Sequence, residues 1–157
     1  MSWEHLHIIS HSFPIVLAAS GSAVGLYGWA RNREPLELWG LLALVIAGAF
    51  VAPAYLTGLA AADVVADRTF VRPGIVQTHR FWATWAAVPA FTAGALAAFA
   101  LHERDDRRLR RFVLLVGLFA TFMIGIAAWQ GSKIVHGPNE AAAAAVPDTT
   151  VNTTAAG

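Results

Sequence analysis

Four apolar stretches, each as long as a hydrocarbon core is thick, leave this chain very few folds. They run from about Ser12 to Ala30, Leu38 to Ala62, His79 to Leu101 and Phe112 to Val135, against roughly 20 helical residues needed to cross a bilayer. None carries a charge in its middle. In lipid a backbone must satisfy its own N–H and C=O groups, so stretches of this length form helices. The expected fold is all-α, an integral membrane four-helix bundle over residues 1–138. The first helix can extend back to Trp3, and a low-complexity tail fills 139–157. Pro53 and Pro89 lie near the centres of helices two and three, where packed neighbours tolerate a kink. The SGSAVG run of helix one, and Gly117, Gly125 and Gly131 of helix four, let another helix or a flat ligand approach closely.

Composition agrees. The chain is 57% hydrophobic and only 13% charged, which is unusual for a soluble domain. It has no cysteine, which excludes disulfides, thiolate metal sites, Cys-ligated iron–sulfur clusters and covalently attached haem. A net charge of +1 gives no sign of a nucleic-acid partner. The opening MSWEHLH lacks the basic segment of a cleavable signal, so the first apolar stretch is expected to remain as a membrane helix. No internal repeat is evident.

Orientation follows from the basic residues. Arg31, Arg33, Arg104, Arg107, Arg108, Arg110 and Arg111 lie on the side of loops one and three; Arg68, Arg72, Arg80 and Lys133 lie on the other. The arginine-rich HERDDRRLRR loop is expected to be cytoplasmic and both termini extracytoplasmic. The tryptophans suit interfacial belts, with Trp29 and Trp39 inside and Trp3, Trp82, Trp85 and Trp129 outside. The loop from Asp63 to Thr78 is long enough to fold over the outer end and cover a site there.

On this topology five of six histidines share the outer end: His5, His7, His11, His79 and His136. His102 stands alone at the other end, about 35 Å from His79 along helix three, so those two cannot bind one ion. His7 and His11 are four residues apart and point to one helical face. Two neutral imidazoles from facing helices suit a low-spin haem iron. Arg68, Arg72, Arg80 and Lys133 are on the correct side to pair with propionates, or they are plain interfacial anchors. Trp129, Lys133 and His136 form a stripe that either lines a quinone pocket or anchors a helix end. There is no nucleophile with a base, no buried carboxylate pair and no phosphate loop. Mid-depth ionisable residues of the kind that mark a transport path are missing too.

HIISHSFPIVL in helix one, TGLAAAD ending helix two, HRFWATW opening helix three and WQGSKIVHG closing helix four resemble the bacterial four-helix membrane family called domain of unknown function 2231. The resemblance covers about residues 5 to 138 and carries over to His7, His11, His79, and His136 with Gly137. It departs at Ser12, where the family joins histidine directly to phenylalanine. It implies a small multi-pass protein of the bacterial inner membrane that binds b-type haem and serves respiratory or redox partners.

Three functions compete. The first is a b-type cytochrome subunit with one haem, or two, passing electrons between quinone or an external redox protein and a larger complex. Such a chain is an electron-transfer subunit rather than a self-contained enzyme. Helices one and three can face each other across the bundle, which makes His11 with His79 the first choice of ligands, followed by His136 and His7. The second is a copper or zinc site at Glu4, His5, His7 and His11. The third is a cofactor-free membrane anchor or assembly subunit.

Overall fold

In the computed structural model, which describes residues 2–66, 71, 73–103 and 105–136, all four apolar stretches are helices: α1 (Trp3–Ala30), α2 (Glu34–Ala66), α3 (Pro73–His102) and α4 (Arg107–His136). Each is long and apolar enough to cross a membrane. Many of their large apolar side chains face outward, among them Val16, Leu56, Val88 and Phe122, as a chain solvated by lipid requires. The protein is thus a multi-pass membrane four-helix bundle. No strand occurs among the described residues.

Every helix begins earlier or ends later than its apolar stretch, because polar ends remain helical where they leave the hydrocarbon. The N-terminal extension of α1 is continuous from Trp3. At the start of α4, Asp106 accepts hydrogen bonds from the N–H groups of Arg108 (2.9 Å) and Leu109 (3.0 Å). This is an N-cap, and it moves Arg107, Arg108, Arg110 and Arg111 from the expected loop into the helix. The expected Asp63–Thr78 loop shrinks as well. α2 runs to Ala66 and α3 opens at Pro73, a favourable first helical position for a residue without an N–H. Of the remaining connection only Val71 is described; it is buried against Ala62 and Val76. Arg68, Arg72 and the tail lie outside the described residues. Between α1 and α2 the chain turns on Asn32 at φ 50, a left-handed conformation that asparagine tolerates.

The helices follow one another around the bundle, each packed on its sequence neighbours, with α4 closing against α1. α1 and α3 are therefore diagonal and scarcely touch. Glycines set the closest approaches. A Cβ on Gly40 would lie 2.6 Å from both the Gly21 carbonyl oxygen and the Gly25 Cα, and one on Gly48 would lie 2.8 Å from the Gly94 Cα. Backbones this close gain dispersion contacts that lipid tails cannot replace.

Packing differs between the two ends. The main core, with Leu41, Leu44, Ala97, Val113 and Leu114 fully buried, fills the half nearer the α1–α2 turn. That end is closed by Arg110, only 1% exposed, which reaches Glu34 of α2 at 2.7 Å and Glu37 at 3.6 Å. Toward the histidine end the buried residues shrink to alanine and valine, and the diagonal gap opens into a cleft.

Candidate functional site

The cleft has a volume of about 430 Å³, and its walls are mainly apolar. His7 and His11 of α1 and His79 of α3 line it. The His7 and His11 rings stack at 5.1 Å between centroids, and the His7 and His79 rings lie 6.4 Å apart at 67°. Helices that scarcely touch thus bring their imidazoles together across the gap. Glu4, Tyr55, Arg80 and Ser132 supply the polar part of the rim.

Two of these imidazoles are held in the same way. His7 donates Nδ1–H to the carbonyl of Ala54 at 3.0 Å, across 47 residues of chain. His79 donates Nδ1–H to the carbonyl of Ala127 at 3.0 Å, across 48 residues. A carbonyl can only accept, so Nδ1 carries the proton, and in the neutral ring Nε2 carries the lone pair. In metalloproteins a hydrogen bond from the other ring nitrogen of this kind fixes the orientation of a ligating imidazole. Each ring also rests over a glycine one turn beyond its carbonyl. A Cβ on Gly58 would lie 2.8 Å from His7 Cε1, and one on Gly131 would lie 3.0 Å from His79 Cε1.

The α1–α2 and α3–α4 hairpins therefore build the same half-site: histidine, alanine carbonyl, glycine. The sequence showed no repeat because the match rests on three positions per hairpin, separated by unrelated residues. The pattern fails at one place. One turn after His7 stands His11, whereas one turn after His79 stands Ala83. His11 donates Nδ1–H to the His7 carbonyl of its own helix at 3.0 Å.

Of the other sequence-derived candidates, Arg80 lines the cleft and pairs with Asp63 at 3.8 Å. Lys133 does not line it; its ammonium lies 3.6 Å from the centre of the exposed Trp129 ring, an interfacial cation–π pair. His136 closes α4, and its side chain lies outside the described residues. His5 is exposed and bonds Ser2 at 2.7 Å, and His102 is exposed at the opposite end. Among the described residues, no three His, Asp or Glu side chains are arranged to hold a metal ion.

Sequence reasoning missed Ala54, Gly58, Ala127 and Gly131 as parts of the site. An alanine and a glycine four residues apart near the ends of both α2 and α4 were the only signal, and such pairs are common in membrane helices.

The residues fit a haem better than a bare ion. Two imidazoles on opposite sides of one ion, at about 2.1 Å per nitrogen, would have centroids roughly 6.5 Å apart; those of His7 and His79 are 6.4 Å apart. A porphyrin supplies the other four donors itself, whereas a bare copper or zinc ion needs a third protein ligand. Comparison with protein-family models, curated proteins and solved structures finds no match to this chain.

Proposed function

We propose that this chain is a small b-type cytochrome of a bacterial cytoplasmic membrane. In this reading one haem b occupies the cleft at the extracytoplasmic end, ligated by His7 and His79. One observation carries it: two diagonal helices that barely touch each present an imidazole with Nδ1 tied to a carbonyl and its ring over a glycine. The resemblance to the domain of unknown function 2231 family and the placement of basic residues support the same reading. His7 replaces His11 as first choice because His11 is tied only to its own helix.

Bound there, haem would supply one-electron redox chemistry. The chain's own residues would set its position. His7 and His79 fix the axis between α1 and α3, the apolar walls exclude water, and Arg80 at the rim offers a cation to a propionate. Electrons would pass between quinone or an external redox protein and a larger respiratory complex. Lys133 is an interfacial anchor in this scheme.

The test is a visible spectrum of the protein purified in mild detergent from haem-replete cells, oxidised and then dithionite-reduced. A Soret band that shifts on reduction, sharp α and β bands and a b-type pyridine haemochrome are expected. His79→Ala should abolish the low-spin spectrum. A colourless protein that remains a folded helical bundle sinks the proposal and leaves a cofactor-free anchor.

A further inference from the structure

His11 has no role in the half-site pattern, yet it is placed as a ligand would be. Its Nδ1–H is donated to a carbonyl, which leaves the lone pair on Nε2, as in His7 and His79. Its ring lies nearly parallel to that of His7, at 19° and 5.1 Å. It also lines a second, apolar cleft of about 100 Å³ that continues from the first toward the middle of the bundle. Ala83, at the matching position on α3, lines both clefts. Across from His11, α3 carries alanine in place of a second histidine, and His79 lines both clefts with it.

Hydroxyls border the acceptors on the α1 side. Thr57 Oγ1 lies 3.1 Å from the Ala54 carbonyl and 2.7 Å from that of Pro53, and Ser10 Oγ lies 3.2 Å from the His7 carbonyl and 3.0 Å from Thr57 Oγ1. Each hydroxyl has one proton to donate, so the pair can turn to one carbonyl at a time when an imidazole leaves it, which lowers the cost of breaking that buried hydrogen bond. Ala127, which holds His79, has no such hydroxyl among the described residues. The α3 side offers one imidazole and the α1 side two.

We propose that His7 and His11 alternate in holding the haem together with His79, so that the protein would have two bis-imidazole forms. The inference rests on the haem reading above. Exchange moves the α1 ligand by one helical turn while His79 stays in place, so the two forms would differ in the relative orientation of their imidazole planes rather than in the position of the iron.

Low-temperature electron paramagnetic resonance of the ferric protein tests it. The wild type is expected to show two low-spin signals with different largest g values. His11→Ala should lose one of them, and His7→Ala should lose the other while keeping its haem. Because His11 is tied only to its own helix, His11→Ala removes no inter-helix bond. A single wild-type signal, two signals that both survive His11→Ala, or a His7→Ala protein that turns high-spin overturns the exchange while a His79-ligated haem stands. A colourless wild type overturns the haem reading itself.

Discussion

At the residue scale, the glycines under the histidines are more diagnostic than the histidines themselves. A methyl group on Gly58 would press on the end of the His7 ring, and one on Gly131 on that of His79. An imidazole can swing aside, so the helices need not move. Alanine should even favour the helical state by about 0.5–1 kcal/mol. Gly58→Ala and Gly131→Ala are therefore expected to keep the thermal transition of the bundle within a few degrees, while each weakens the low-spin haem spectrum. Titrating haem into each purified variant and following the Soret band checks this. A variant that binds as wild type would show that ring placement over glycine is incidental. Gly125, with open space around its position, is the control: Gly125→Ala should gain the same small helical stabilisation and leave the spectrum unchanged.

At the element scale, two contacts hold the helices in place. The first is α1 on α2 through Gly21, Gly25 and Gly40. There the clash would be with backbone rather than with a movable ring, so Gly40→Ala should cost about 1–3 kcal/mol, the usual price of overpacking. Thermal unfolding in detergent is expected to show this loss for Gly40→Ala and not for Gly125→Ala. The second is Arg110, whose helix was not expected to reach it. Its burial between Glu34 and Glu37 ties α4 to α2 at the closed end. Glu37 is only 3% exposed, and removing the arginine strands that carboxylate. Arg110→Met should destabilise the bundle by about 3–5 kcal/mol, and the double variant Arg110→Met with Glu37→Gln by much less. Equal losses in the two variants would show that packing of the arginine stem, rather than the charge pair, matters.

At the scale of the whole molecule, the bundle is closed at one end and open at the other, and the open end carries the histidines. Which end faces the cytoplasm can be read directly, because the native chain has no cysteine. Single cysteines at the exposed Ser2 and Asp105 report on opposite ends. The proposed orientation predicts that an impermeant maleimide labels Ser2→Cys on intact spheroplasts and labels Asp105→Cys only after the membrane is opened. The reverse pattern would place the cleft on the cytoplasmic side and exclude an external electron partner.

The fold was almost entirely legible in the sequence, because a bilayer permits few alternatives to helices of spanning length. Gathering of His7, His11 and His79 at one end followed from that topology. Several things lay beyond it. The true starts of α3 and α4 depended on Pro73 and the Asp106 cap, which a search for apolar stretches passes over. That Arg110 is a core residue depended on two acidic side chains of α2, which a count of loop charges treats as solvent-exposed. Above all, the sequence placed His7 and His11 on one face and put His11 first, with nothing in it to show the carbonyl and glycine that hold His7. Hydropathy sets which segments cross the membrane, because each residue's transfer energy is its own. Only tertiary packing decided that Ala54 and Ala127 would meet the two imidazoles over Gly58 and Gly131, because hydrogen bonds and close contacts belong to pairs of residues that the chain brings together from afar.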